Sequence, residues 1–448
     1  MTDSNASLQQ SPVWQPQPAA SAWLARQTSR FLERHATATE FSRLLLLRTG
    51  TRLTDWVDHF CTDDVSGIEQ TGYVRQADGW WVHPGALLPP VTLASIPRLL
   101  LRVDNVADFA AANNWRFPVQ TIGEPGDPLR MAFAGETETA EFGVIERRGC
   151  SIRQHEVPLT DSEKVLAEKV HERLLLRPRS FPDLDEAFTS IQVLLNEAAA
   201  AVGRDLACDL FFAAERQYWQ ARNSAAQLQH MRQNSLGLGW GNHDHHTYRS
   251  SRVCFSRLIE LFESLGFVCR ERFYPGHAAG WGAQVLEHPV CPIVIFADVD
   301  LTEEELAGDF AHQQLAPANR LGTIGLWCGL HGEALFEAGM HHLECQFDFD
   351  AARAQLAASG MASMKPFTDF PFLRQCFTEG ERWQVAPERL QKLVSAGLLT
   401  TEQASEFARS GALGSHLEIL ERNDGYRGFN QTGITEIIHR TDPRNSLK

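Results

Sequence analysis

Three short segments hold most of the side chains able to bind a metal or move a proton. The first is Asn242-His243-Asp244-His245-His246-Thr247-Tyr248-Arg249. In an extended chain alternate side chains share a face, so His243, His245, Thr247 and Arg249 point one way and Asp244, His246 and Tyr248 the other. The second is His341-His342-Leu343-Glu344-Cys345-Gln346-Phe347. Here parity separates a packing face (His341, Leu343, Cys345, Phe347) from a polar one (His342, Glu344, Gln346). His342 is therefore the better ligand candidate of the adjacent pair. The third is Leu417-Glu418-Ile419-Leu420-Glu421-Arg422. Glu418, Leu420 and Arg422 share one face, so a carboxylate and a guanidinium could enter one pocket, with Glu421 as the competing carboxylate.

Two neutral imidazoles and one carboxylate on three strands, His245, His342 and Glu418, would make a facial triad. Such a set leaves open positions on Fe(II) for a chelating substrate and O2, and it can equally hold Mn, Zn or Ni. The three lie too far apart in the chain for a zinc-finger spacing, so a folded sheet must bring them together. Arg249 is always cationic and could fork onto a carboxylate, or pair with Asp244 or another acid. Arg422 is the second substrate-binding candidate, with a salt bridge to a neighbouring acid as its alternative. His243 and His246 read as supporting or surface groups, His59 as structural, and His288, held extended by Pro289, as a loop residue.

The elements that must position these groups are read from period and punctuation. Residues 1–20 are rich in Ser, Gln, Pro and Ala and are expected to be a disordered tail. Residues 21–155 read as an α/β module, with a helix over Ala25–Leu47 and strands at Trp80–Val82, Arg98–Val103 and Phe142–Ile145. Residues 156–235 read as a helical connecting segment. Residues 236–448 read as the metal-binding domain. Its expected strands are His243–Arg249, Val268–Phe273, Ile293–Val299, His342–Phe349 and His416–Arg422, with a helix at Cys254–Leu265 and a helical insertion at Pro387–Ala408.

Two stretches repeat one order of features. Val57-Asp58-His59, Gly72-Tyr73, His83-Pro84, Val103-Asp104 and Ile145-Glu146-Arg147 match His243-Asp244-His245, Gly266-Phe267, His288-Pro289, Val299-Asp300 and Leu420-Glu421-Arg422. Under that alignment Asp63 stands where Arg249 does, and Gly143 where Glu418 does. The first half is thus expected to be a scaffold or lid without polar machinery.

Composition narrows the function classes. The 448-residue chain is 43 % hydrophobic and 22 % charged, as globular domains are, and its net charge is −15. So acidic a surface repels phosphate backbones, and no nucleic-acid partner is expected. Its longest apolar runs are far too short for a membrane span. No basic-then-apolar leader opens the chain and the nine cysteines form no CxxC pair, so a cytoplasmic protein with reduced thiols is expected.

The order of motifs in the second half resembles that of the 2-oxoadipate dioxygenase/decarboxylase (hydroxyglutarate synthase) family of the vicinal oxygen chelate superfamily. The resemblance is carried by Asp244-His245-His246-Thr247-Tyr248-Arg249, Leu265-Gly266-Phe267, Tyr274-Pro275, Glu287-His288-Pro289 and Pro292-Ile293-Val294-Ile295-Phe296. It continues through Met340-His341-His342-Leu343, Ser415-His416-Leu417-Glu418-Ile419-Leu420-Glu421-Arg422 and Arg427-Gly428-Phe429-Asn430. It spans about residues 205–442. The family pattern departs where an Asn usually precedes the second His and a Thr follows it; here His341 and Glu344 stand.

The resemblance implies an α+β fold, with curved mixed sheets of βαβββ modules around one metal site. It implies a metal held by His245, His342 and Glu418, a substrate carboxylate on Arg249, and O2-dependent oxidative decarboxylation of a small 2-oxo acid to a 2-hydroxy acid. A lyase, isomerase or extradiol-type dioxygenase of the same superfamily is the alternative enzyme, and a non-catalytic small-molecule-binding protein the alternative outside enzymes.

Overall fold

A computed structural model describes residues 13–135, 139–154, 158–431 and 434–445. Helices α1 (Pro18–Arg34) and α2 (Ala36–Thr49) open the described chain. The expected single helix is broken at His35, which leaves helical geometry and caps α2 by accepting the Ala38 N–H on its ring. Part of the expected tail lies outside the described residues, but its end is fixed in place. Ala20 is buried, the Trp14 indole donates to Glu271, and the Gln17 N–H donates to the Asp424 carbonyl. The apolar side chains of Trp14 and Trp23 outweigh the polar bias of that stretch.

The first sheet is built from β1 (Val57–Thr62), β2 (Val74–Arg75), β3 (Trp81–Val82), β4 (Val91–Leu93), β5 (Arg98–Arg102), β6 (Val119–Ile122), β7 (Leu129–Ala134) and β8 (Glu141–Arg147), with α3 (Val106–Asn113) between β5 and β6. Its spatial order is β2-β3-β4-β1-β5-β8-β7-β6. Four helices follow: α4 (Asp161–Leu175), α5 (Leu184–Val202), α6 (Arg204–Gln220) and α7 (Ser224–Asn234). Thr160 and Asp183 cap the first two through side-chain oxygens that accept first-turn N–H groups.

The second sheet comprises β9 (His243–Arg249), β10 (Val268–Phe273), β11 (Trp281–Glu287), β12 (Val294–Asp300), β13 (His342–Gln346), β14 (Thr368–Phe370), β15 (Leu373–Phe377) and, after the short pair β16 (Arg382–Trp383) and β17 (Ala412–Leu413), β18 (His416–Arg422). Helix α8 (Phe255–Ser264) links β9 to β10, α9 (Thr323–His331) precedes β13, and α10 (Phe349–Ala358) links β13 to β14. Helices α11 (Pro387–Ser395) and α12 (Thr401–Ser410) make the insertion, and α13 (Thr435–Thr441) ends the described chain. The order is β10-β11-β12-β9-β13-β18-β15-β14, the first sheet's order again.

This is a mixed α+β fold of βαβββ modules, the vicinal-oxygen-chelate arrangement. In each module the fourth strand pairs parallel to the first, as in β1·β4, β5·β8, β9·β12 and β13·β18. Two modules join through antiparallel first strands, β1·β5 and β9·β13. Each sheet therefore holds two modules, where one per half was expected. A single turn at Glu69–Thr71 replaces the helix of the first module.

Packing follows strand parity. Tyr248, Leu343, Cys345, Leu417 and Ile419, the apolar alternates of the second sheet, are fully buried in one large core. Helix α8 presents Phe255, Leu258, Ile259 and Phe262 to that core at spacings of three and four. Each such side chain contributes roughly 1.5–3 kcal/mol on burial. The first sheet packs α1–α3 in a separate core. Among the described residues no helix is long and apolar enough to cross a membrane.

Candidate metal and carboxylate site

Register brings the three polar segments together. Glu344 of β13 lies opposite His245 of β9 and opposite Glu418 of β18, and Phe377 of β15 lies opposite Glu418. One row across four strands thus reads His245, Glu344, Glu418, Phe377. The neighbouring row holds Thr247, His342 and His416. His245, Thr247, His342, Glu344 and Glu418 lie on the cavity side, where they line one pocket.

Glu344 is the hub. Its Oε1 lies 2.9 Å from His245 Nε2 and 2.6 Å from His342 Nε2, and it accepts the Thr247 hydroxyl at 2.9 Å. Glu418 Oε2 is 3.6 Å from His342 Nε2, and its Oε1 accepts the Gln375 amide at 2.9 Å. One donor atom each from His245, Glu344 and Glu418 lies within 4.8 Å of the others, and all three side chains are buried. The expected trio of His245, His342 and Glu418 does share the pocket. Glu344, the register partner of both His245 and Glu418, joins them as a further donor, and His342 Nε2 stands beside it within the same spacing of Glu344 and Glu418.

The electrostatics fit a divalent cation. Burial works to raise the Glu344 carboxyl, but the imidazoles of His245 and His342 hold it down at about 2. Burial and the adjacent Glu344 charge push Glu418 well above the usual carboxylate range. Two buried carboxylates side by side cannot both ionise without a cation between them. Glu344 Oε2 is buried without a partner. Carboxylate and imidazole donors suit Fe(II), Mn, Zn or Ni.

A second layer orients the imidazoles. His245 Nδ1 is 2.8 Å from Asp244 Oδ1, which leaves Nε2 facing the cavity. Asp244 is gripped by Arg422, whose Nε and Nη2 donate at 2.8 and 2.9 Å. Arg422 Nη1 donates to the Tyr426 and Gly428 carbonyls. Arg422 is therefore not a pocket residue, contrary to the expectation from its shared face with Glu418. Four residues of strand carry it past the cavity, onto Asp244. His342 Nδ1 meets His341 Nδ1 at 2.5 Å, and His341 packs edge-on to Trp327 on the other side. His243 and His246 meet edge-on and do not line the cavity, and His246 is also 3.3 Å from an Arg216 nitrogen.

Arg249 marks the other end of the cavity. It is 6 % exposed, yet its Nε and Nη1 have no hydrogen-bond partner. The nearest carboxylate, Asp298, is 4.0 Å away. Burial pushes Asp298 up to about 8 despite the Arg249 charge. At neutral pH, then, Asp298 is held neutral and the Nε and Nη1 of Arg249 keep donors to spare. The cavity is also lined by Phe273, Phe296, Phe367, Phe377, Phe429 and Ile437, around about 590 Å³ that is partly open to solvent. Phe296 and Phe429 both lie 5.1 Å from the His245 ring. Sequence reasoning left Asp298 and Gln375 unassigned. Alternation along Phe296-Ala297-Asp298 carried the signal for the first; nothing within its own strand singled out the second.

The first sheet keeps the supports and lacks the donors. His59 Nδ1 is 2.7 Å from Asp58, and Arg147 Nε lies 3.1 Å from both Asp58 oxygens, which repeats Arg422–Asp244–His245. Leu100 lies opposite His59 and Gly143 opposite Leu100, where the second sheet has Glu344 and Glu418. Asp63 pairs with Arg34 near the surface. A further cluster, Cys208, His288 and Cys291, is buried. Both ring nitrogens of His288 are engaged by backbone there, Nδ1 by the N–H groups of Val290 and Cys291 and Nε2 by the Leu265 carbonyl.

No protein-family model and no curated protein matches the chain. Among solved structures it is similar to a mutant of 4-hydroxymandelate synthase from Streptomyces coelicolor (12 % identity, TM-score 0.30, 86 % of this chain and 99 % of that one). It is also similar to YdcJ from Shigella flexneri, which includes domain DUF1338 (12 %, TM-score 0.26, 57 % and 73 %). A third is methylmalonyl-CoA epimerase from Mycobacterium tuberculosis (16 %, TM-score 0.23, 40 % and 87 %).

Proposed function

We propose that the protein is a metal-dependent oxygenase of the vicinal-oxygen-chelate fold, acting on a small 2-oxo acid or related carboxylate. The observation that carries this reading is one cavity with two complementary ends: the His245–Glu344–Glu418 donor set, with His342 beside it, and the Arg249 guanidinium, whose Nε and Nη1 lack hydrogen-bond partners. When bound, Fe(II) would supply Lewis-acid and O2-activating redox chemistry. The chain's own residues do the rest. Arg249 forks onto the acid's carboxylate and fixes its pose. Thr247 and Gln375 hold the two ligand carboxylates in their rotamers by donating to them. The phenylalanine walls exclude water and favour acids with an apolar body.

A second reading has one observation behind it. The adjacent carboxylates of Glu344 and Glu418, one ionised and one protonated, are an acid–base pair suited to moving a proton in a lyase or isomerase.

The experiment is metal analysis of anaerobically reconstituted protein, with oxygen uptake over a panel of aliphatic, aromatic and dicarboxylic 2-oxo acids. One iron per chain and acid-dependent O2 uptake, lost in Glu418→Ala, is the expected result. Metal binding without O2 uptake on any acid moves the assignment to the proton-transfer reading. No metal above background overturns both.

A further inference from the structure

We infer that Asp244 and Arg422 form a positioning pair, in which Asp244 aims the His245 imidazole at the metal and Arg422 ties that aim to the segment closing the cavity. The inference rests on the proposed metal-binding reading. Its evidence is a comparison the molecule makes with itself. Arg–Asp–His occurs twice, at the same place in two sheets of the same order: Arg147–Asp58–His59 and Arg422–Asp244–His245.

Both arginines use their remaining donors on the chain just beyond their sheet's last strand. Arg147 donates to the carbonyls of Ser151, Ile152 and Gln154, and Arg422 to those of Tyr426 and Gly428. The tether is therefore common to the two halves and structural in origin. Only in the second half does the histidine at its end face two carboxylates. Among the described residues, only there does the tethered segment carry an aromatic ring, Phe429, onto that histidine at 5.1 Å. Arg422 lies under the same ring, 4.9 Å from its centre.

The contact from Asp244 to Nδ1 fixes the ring's rotation and leaves Nε2 as the donor on the cavity side. Without that acceptor the ring can turn or present the other nitrogen. The metal then loses a preorganised ligand, although no ligand atom has been removed. The first half supplies the control, because Asp58 makes the same contacts with no donor set in front of it.

The test compares Asp244→Asn with Asp58→Asn in the full-length chain. Metal dissociation constants are read by competition with a chromophoric chelator using Fe(II) or Mn(II), and stability by thermal midpoint. Asp244→Asn is expected to weaken metal binding about 10–100-fold. Asp58→Asn is expected to leave metal affinity within about twofold, while lowering the midpoint comparably. Arg422→Lys keeps the charge but loses the fork; it should weaken metal binding by a smaller factor and serves if Asp244→Asn does not fold. Wild-type affinity in both Asp244→Asn and Arg422→Lys, or equal losses in Asp244→Asn and Asp58→Asn, would overturn the inference and leave the metal site standing. Absence of metal binding in the wild type would remove the proposed function and this inference together.

Discussion

At the scale of single residues, Glu344 decides which three side chains hold the metal. If the metal sits among His245, Glu344 and Glu418, Glu344→Ala costs more metal affinity than the roughly 10–100-fold typical of a supporting residue, and His342→Ala stays within that range. The reverse order in chelator competition would restore His342 as the third ligand. Arg249 and Asp298 set a pH dependence. Below about 8 Asp298 is protonated, held so by burial against the pull of Arg249, and the guanidinium is available to an incoming carboxylate. As pH rises through about 8 Asp298 ionises and competes for Arg249. Affinity for a carboxylate ligand, measured by calorimetry between pH 6.5 and 9.5, is therefore expected to fall across that point. Asp298→Asn should flatten the profile. A flat wild-type profile would show that Arg249 does not receive the ligand's carboxylate.

At the scale of elements, parity is legible in the sequence and register is not. Alternation alone put His342 and Glu344 on one polar face and Leu343 and Cys345 on the packed one, because side-chain direction in a strand is a local property. Which residue stands opposite His245 depends on how β9 meets β13 across nearly a hundred intervening residues, and no local pattern encodes that. Strands β11, β14 and β15 escape detection for related reasons. β11 begins Trp281-Gly282-Ala283-Gln284, with small residues where alternation would show, and β14 and β15 are a short hairpin broken by Pro371. The repeat is the exception, since its matched residues are those with positional roles. Gly143 illustrates this. A Cβ there would stand 2.3 Å from the Ala132 carbonyl of the adjoining strand, so β7 and β8 now pack too closely for any side chain. Gly143→Ala should cost about 1–3 kcal/mol in denaturant unfolding. A neutral result would mean that the strands part freely, and that the lost carboxylate is replaceable.

At the scale of the whole molecule, the first half braces the second at the end of the strand that carries Glu418. Arg52, just before β1, donates Nη1 to the Asn423 side chain at 2.7 Å and Nη2 to the Arg422 carbonyl at 3.2 Å. It also pairs with the buried Asp55 at 2.7 Å. The Leu87 N–H donates to the Gly425 carbonyl, and Gln17 holds Asp424. These contacts converge on the turn between β18 and Phe429, the stretch that Arg422 must hold while it grips Asp244. A first half without donors of its own thus still bears on the site, by fixing where the closing segment sits. Arg52→Ala removes the brace and leaves Asp55 buried without its ion partner, a loss of about 3 kcal/mol. Hydrogen exchange in that variant should accelerate over residues 419–426 as well as around Asp55, and metal affinity should fall by less than in Glu344→Ala. Acceleration confined to residues 50–60, with the β18 end still protected, would mean that the two sheets share a chain without sharing stability.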